Sequence, residues 1–329
     1  MTAGVYYDDD FVRENFTLKR ALESQRAAFR ALGSGTAVLA HRVTMEGADG
    51  SVAFSYLARL ASNGDAVNKL GSVNPLNAVR GEPAVSATVY VLDARTGRPA
   101  ATLEATELTT LRTAAASALA VEQMARADAA TLGIIGAGVQ ARAHAMAISR
   151  VRDLNEILVA ARSAEQAALV VEELSPLLDV RLRAASAEEA AGADILATCT
   201  TSCDPVVETH WINPGAMVVS VGAFAPDRNE LPVSLLDRAE RVVVDHVPTA
   251  SEQSGSVLQW AAQDPVANKG ALVGLGEVLT GGSQGRVTAD GIIVYLSVGL
   301  GIQDAAAAVE LLRGGRGDQA HREGGGSVG

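Results

Sequence analysis

The chain has 329 residues, enough for two domains of ordinary size. Its net charge of −11 argues against nucleic acid as a partner, because neutralising phosphates needs a basic face. Hydrophobic residues make up 48% and aromatic residues only 4%, so the core must be built from Ala, Val, Leu and Ile, and no run of about 18 apolar residues is present to span a membrane.

The start, MTAGVYYDDDF, is acidic and lacks the basic and apolar regions of a signal peptide, so the expected place is the cytoplasm. Apolar residues at helical spacing predict one amphipathic helix over residues 12–32. Short strands follow: AVLAHRVTM, SVAFSYLARLA and DAVNKLGSV. After a loop punctuated by Pro75 and Gly81-Glu-Pro83, a hairpin runs through VYVLD and turns at Arg95-Thr-Gly97. This succession predicts a mixed sheet in the first third of the chain. An Ala-rich helix is expected over Glu107–Met124, with Thr109 or Thr110 as its N-cap.

From Thr131 the rhythm becomes strand–helix alternation. Candidate strands are LGIIGA, EILVAA, ADILATCT, MVVSVGA, RVVVDH and GIIVYLSVG. That pattern predicts the α/β class: a doubly wound parallel Rossmann sheet plus a second α+β domain. A last helix over about Gln303–Leu312 is expected to pack on the first domain. The Gly-rich tail from Gly314 has no apolar content to order it, and its Arg316-Gly-Asp318 triplet reads as chance. Cys199 and Cys203 read as reduced thiols, with no set of further ligands to make a metal site.

The stretch Thr131–Arg150 carries the sharpest signal. Leu132, Ile134 and Ile135 form a short apolar strand, and Gly136-Ala-Gly138 with Ala141 completes a G-x-G-x-x-A fingerprint at the start of a helix. Alone, a G-x-G triplet in a chain with 32 glycines is weak evidence. With a strand before it and a helix after it, the pattern suits a dinucleotide pyrophosphate set against free helix N–H groups. An acidic residue at the end of the next strand would grip a ribose 2′-hydroxyl. This chain has Arg162-Ser163 there, with no carboxylate before Glu165. Arg162 and Ser163 either receive a 2′-phosphate or simply begin a helix at the surface. The first reading favours NADP(H) over NAD(H).

Arg42, Lys69 and Arg112 each read singly as a solvated surface charge. Yet Lys69 and Arg112 sit among apolar or small neighbours, where an unpaired charge is costly. Together they would suit an anionic carboxylate.

The series Lys69…Pro75-x-Asn77, VLDARTG, LTTLRTAAASALA, IIGAGVQARAH, VGAFAPDRNEL and SVGLGIQDAAAA resembles, in that order, the ornithine cyclodeaminase/μ-crystallin family. The resemblance covers residues 10–312. It implies a substrate-binding and dimerisation domain (residues 1–115 with 301–329) and a Rossmann domain (116–300), assembled as a homodimer. It implies Arg42, Lys69 and Arg112 as receptors of the substrate carboxylate, with Lys69 catalytic. On the cofactor side it implies Arg112, Thr113, Gly136, Gly138, Val139, Gln140, Thr200, Thr201, Val221, Gly222 and Ala223, with Ser297 and Val298 near the nicotinamide. No metal is implied.

The departures sharpen this expectation. Where relatives carry G-A-D-x-P-G-K-x-E-L, this chain reads Gly222-Ala-Phe224-Ala-Pro226-Asp-Arg228-Asn-Glu230-Leu. Phe224 cannot move a proton or hold an ammonium group. Ala84 replaces a threonine that contacts the cofactor in some relatives, and Leu296 replaces a polar or basic residue. A cyclodeaminase needs a positioned base. Reducing a preformed cyclic imine asks only for orientation and for a proton from solvent or Lys69, and Phe224 then lines the imine pocket. The expected function is therefore NAD(P)H-dependent reduction of an α-imino carboxylate. Two alternatives remain. One is an ornithine or lysine cyclodeaminase, or an alanine-type dehydrogenase, with its base relocated to Asp227, Asp304 or Glu230. The other is a μ-crystallin-like protein that binds NADPH and a small ligand.

Overall fold

The computed structural model describes residues 4–82 and 85–323, apart from the side chains of residues 75, 78, 265, 267, 269 and 314–323. The chain divides into two units, Met1–Arg112 with Leu300–Gly329, and Thr113–Gly299.

In the first unit the expected single helix is two, α1 (Asp9–Asn15) and α2 (Leu18–Gly33). The Thr17 hydroxyl accepts from Arg20 N at the start of α2, which satisfies an N–H that helix initiation leaves unpaired. The sheet contains β1 (Val5–Tyr7), β2 (Val38–Leu39), β3 (Val43–Glu46), β4 (Val52–Arg59), β5 (Ala66–Val73), β6 (Val85–Leu92) and β7 (Pro99–Glu104). The segment read as one strand over AVLAHRVTM is split into β2 and β3, with Arg42 between them. The strand order is β1-β7-β6-β5-β4-β2, with β3 also on β4. Only β1 runs parallel to its neighbour; the other pairs are antiparallel, so the sheet is mixed as expected. In the β6–β7 hairpin the Asp93 carboxylate accepts from Thr96 N and Thr96 Oγ1, both at 2.7 Å, and Gly97 takes a φ of +67°.

Period-two alternation separates the two faces of this sheet. Phe54, Val67, Lys69, Val89 and Val91 lie on the buried face. Val43, Met45, Leu57, Leu70 and Tyr90 share the other face by register and are exposed, Met45 by 70% and Leu70 by 49%. The C-terminal helix, Gly301–Glu323, packs against α2, β4 and β5. It begins two residues earlier than expected and continues as helical backbone through the Gly-rich stretch, whose side chains, with residues 324–329, lie outside the described set.

The helix α3 (Thr106–Met124) starts before Thr109 and Thr110, which lie inside it rather than at its cap. Its first-turn Glu107 N donates to Asp9 Oδ1 at 3.1 Å, so α1 supplies the cap. The unit boundary falls within α3, after Arg112.

The second unit is built on an eight-stranded, all-parallel sheet. Its strands are β8 (Thr131–Ile135), β9 (Glu156–Ala160), β10 (Arg181–Ala184), β11 (Ile195–Thr198), β12 (Met217–Ser220), β13 (Arg241–Val244), β14 (Leu272–Gly274) and β15 (Ile293–Leu296). Their order is β10-β9-β8-β11-β12-β15-β13-β14. The chain winds outward from β8 through β9 to β10 and then returns to β11, on the other side of β8. That reversal is the switch point at which doubly wound folds bind ligands. The helices α4 (Val139–Ile148), α5 (Ala164–Leu174) and α6 (Ala187–Ala191) follow β8, β9 and β10. The strands β10 and β14 were not expected. Among the described residues no helix is long and apolar enough to cross a membrane.

Candidate active site

In the first unit three elements converge on one carboxylate. Lys69 on β5 is 4% exposed, Arg112 on α3 is 6% exposed, and Asp304 in the first turn of the C-terminal helix is 1% exposed. Lys69 Nζ lies 3.2 Å and Arg112 Nε 3.1 Å from the same oxygen, Asp304 Oδ1. Lys69 Nζ also donates to Thr109 Oγ1 at 2.6 Å. Arg112 Nη1 donates to Gln303 Oε1 at 3.1 Å, and that oxygen accepts from Leu300 N at 2.7 Å. Burial pushes the Lys69 ammonium down to about 8, the nearby cations Arg112 and Arg42 add to that fall, and Asp304 opposes it. Arg42 stands over the rings of Phe54 and Tyr56, its guanidinium carbon 5.6 and 5.0 Å from their centroids. Burial raises the Tyr56 hydroxyl above its ordinary value.

So the structure brings Arg42, Lys69 and Arg112 into one electrostatic neighbourhood. The sequence reading did not see what binds Lys69 and Arg112: Thr109, Gln303 and Asp304, the last named there only as a candidate relocated base. A carboxylate one position after Gln303, at the head of a run of alanines, was the available signal.

In the second unit the cofactor candidates gather at the carboxyl ends of the strands. Gly136, Gly138, Val139 and Gln140 form the turn from β8 into α4. Gly136 has a φ of +132°, and a Cβ there would collide with the Cys199 carbonyl. Gly138 is the N-cap of α4 without a side-chain cap bond, and a Cβ there would meet nothing within 4 Å. The first helix N–H groups are therefore left for an anion, as a pyrophosphate requires. Arg162 is exposed at the end of β9, and the Ser163 hydroxyl caps α5 by accepting from Gln166 N at 3.3 Å. Thr113 is buried on α3.

Two buried carboxylates organise the remaining loops. Glu230 Oε1 accepts from Thr200 N (2.6 Å) and Thr200 Oγ1 (2.7 Å). Its Oε2 accepts from Thr198 Oγ1 (2.8 Å), Ser220 Oγ (2.7 Å), Val221 N (3.2 Å) and Gly222 N (2.7 Å). This one side chain ties Thr200–Thr201 to Val221–Ala223. Asp245, just after β13, does the same for the loop after β15. Its Oδ2 accepts from Ser297 Oγ (3.2 Å), Val298 N (2.9 Å) and Gly299 N (2.8 Å), while Tyr295 Oη donates to Oδ1. The sequence reading named Glu230 only as a candidate relocated base and did not single out Asp245, whose signal was an acid set directly after an apolar strand.

Phe224 is half-buried, with the Arg228 guanidinium carbon 5.2 Å over its ring. Arg228 Nη1 donates to Thr201 O at 3.0 Å. Asp227 is exposed, Leu296 is buried, and Ala84 lies outside the described residues. Cys199 and Cys203 are free thiols.

An all-parallel sheet with a G-x-G turn at its switch point, in a chain that also has a mixed-sheet unit carrying buried basic groups, defines a two-unit protein of the nucleotide-binding α/β class. The chain belongs to the ornithine cyclodeaminase/mu-crystallin family, whose model it matches over residues 8–313. It is 32% identical over 243 residues to a Δ(1)-pyrroline-2-carboxylate reductase of Bacillus cereus, covering 73% of this chain and 74% of the relative. It is also similar to the structure of Thermococcus litoralis Δ(1)-pyrroline-2-carboxylate reductase in complex with NADH and L-proline. There the TM-score is 0.89 at 31% identity, covering 94% of this chain and 98% of the other. A third likeness is to an archaeal alanine dehydrogenase dimer with bound NAD, with a TM-score of 0.90 at 28% identity, covering 96% and 97% of the two chains.

Proposed function

We propose that the protein reduces a cyclic α-imino carboxylate to the corresponding amino acid with a nicotinamide cofactor. The observation that carries this reading is the pair of buried basic groups, Lys69 and Arg112, meeting at Asp304 within a family whose members include pyrroline-2-carboxylate reductases. When bound, the reduced nicotinamide supplies a hydride. Every other requirement falls to the chain. Arg112, with Lys69 and Arg42, takes the substrate carboxylate through charge-assisted hydrogen bonds. Lys69 is the proton donor to the nitrogen, because an ammonium held near about 8 releases its proton more readily than an ordinary lysine. Phe224 gives the ring carbons an apolar wall and offers no base, which disfavours amine oxidation and deamination.

The turn at Gly136–Gln140 holds the pyrophosphate, and the loops pinned by Glu230 and Asp245 hold the rest of the cofactor. Arg162 and Ser163 take a 2′-phosphate, which makes NADP(H) preferred over NAD(H). Unit 1 is the substrate-binding and dimerisation unit: its exposed apolar sheet face (Val43, Met45, Leu57, Leu70, Tyr90) is the kind of surface a second copy covers. Sedimentation of the wild type and of Leu70→Arg tests this assembly, a dimer that falls to a monomer in the variant being the expected result.

The deciding experiment is absorbance-monitored NADPH oxidation with Δ1-pyrroline-2-carboxylate and Δ1-piperideine-2-carboxylate, with NADH alongside. Pyruvate plus ammonium and ornithine serve as competing substrates. Turnover of a cyclic imine is expected. Turnover of only the competing substrates overturns the reading, and cofactor binding without any turnover identifies a binding protein.

A further inference from the structure

Of the chain's 27 basic residues only three are lysines, Lys19, Lys69 and Lys269. One of these three is placed where solvent scarcely reaches. An arginine there would hold a carboxylate equally well, by two parallel bonds, but it never gives up its proton. Lysine at this position keeps a function that arginine lacks, and the surroundings control it.

The groups facing Lys69 are few. Arg112 and Thr109 approach from α3, Asp304 from the C-terminal helix, and Tyr56 from its paired position on β4, while Arg42 acts from between β2 and β3. Among the described residues, Asp304 is the one anion bonded to it. The same Asp304 oxygen is shared with Arg112, so the two cations compete for one charge.

We infer that Asp304 is the positioning residue of this site: its shared oxygen sets how readily Lys69 gives up a proton and aims both cations to one side. This inference rests on the imine-reductase reading for its catalytic meaning, but the coupling itself does not. Asp304 touches neither substrate nor cofactor in this role and acts through Lys69 and Arg112. Because Oδ1 serves both cations, removing either partner has an effect of predictable sign. Neutralising Asp304 strips Lys69 of its counter-charge and makes it more acidic. Neutralising Arg112 leaves the whole carboxylate to Lys69 and removes a neighbouring positive charge, which makes it less acidic.

The test uses the full chain grown with lysine labelled with carbon-13 at Cε. Three signals are expected, with Lys69→Arg identifying the one of interest. In the wild type that signal should titrate near 8. In Asp304→Asn its midpoint should fall by about 1–3 pH units, and in Asp304→Glu it should return toward the wild type. In Arg112→Gln it should rise. Opposite shifts from the two neutral variants are something a merely structural role does not produce, and Arg112→Gln and Asp304→Glu carry the test should Asp304→Asn fail to fold. An unmoved Lys69 midpoint in the folded variants overturns the coupling. The alkaline limb of kcat for imine reduction should follow the same shifts, with kcat falling more than KM rises in Asp304→Asn. If the wild type turns over no imine while the midpoints still move, the activity reading falls and the coupling stands.

Discussion

The two units bury their carboxylates by opposite means. In the second unit, Glu230 is surrounded by hydroxyl and backbone N–H donors, six hydrogen bonds in all, with no cation paired to it among the described residues. In the first unit, Asp304 meets two full positive charges at one oxygen. Oriented dipoles fix a carboxylate without pairing it to a cation, so Glu230 serves as a knot that holds loops in place. Charges leave a carboxylate coupled to a group that titrates, here Lys69. The second unit is thus built to stay as it is, and the first unit to respond.

The most severe way to break this contrast is Glu230→Ala. It leaves buried N–H and hydroxyl groups of Thr198, Thr200, Ser220, Val221 and Gly222 without their acceptor. A loss on the order of 4 kcal/mol is expected from denaturant unfolding, together with loss of cofactor binding.

Next in size are two pH-dependent terms, one from each unit. His144, fully buried on α4 between Gln140 O and Ser117 Oγ, is pushed down to about 4 by burial. Between 6.5 and about 4 the unfolded chain holds a proton there that the folded chain refuses, so stability falls with acid by roughly 3 kcal/mol over that window. Lys69 is depressed from 10.5 to about 8, so the unfolded chain again binds the extra proton, and stability rises by a similar amount, roughly 3 kcal/mol, from about 8 to 10.5. Unfolding free energies across pH should show both rising limbs. His144→Gln should flatten the first and Lys69→Met the second.

Smaller effects are expected in catalysis. A contact between a carboxylate and a charged group is worth about 1.5–3 kcal/mol. Lys69→Ala and Arg112→Ala should therefore each lower kcat/KM for imine reduction by about 10- to 150-fold, and unchanged kinetics in both would remove the carboxylate receptor. The mildest change is Arg162→Asp, expected to move the NADPH-to-NADH ratio of kcat/KM about tenfold toward NADH without altering stability. An unaltered ratio would refute the 2′-phosphate contact.

Much of the Rossmann unit was legible in the sequence because its central strands are continuous apolar runs and its first fingerprint glycine, Gly136, is required by the backbone. The strand β10, Arg181–Ala184, escaped because it is an edge strand carrying two arginines, and β14 escaped because it is three residues long. The break between α1 and α2 was hidden by apolar spacing that runs on through Phe16, although Thr17 carried the capping signal. At the site, Lys69 and Arg112 could be singled out because they sit among apolar or small neighbours, while Arg42 was implied by the resemblance. Their common partner could not: Asp304 lies 235 positions from Lys69 and 192 from Arg112, and no local pattern reports a contact so remote.

That separation also governs the order of events during synthesis. The stretch Thr113–Gly299 is continuous and leaves the ribosome whole, free to fold as soon as β15 emerges. The N-terminal unit has no such independence. Its sheet and α2 must wait for the C-terminal helix, and until Asp304 is translated Lys69 and Arg112 have no counter-charge and stay hydrated. The nascent chain is therefore expected to carry a finished second unit while the first is still open and solvent-filled, to be closed once the helix bearing Asp304 has been made.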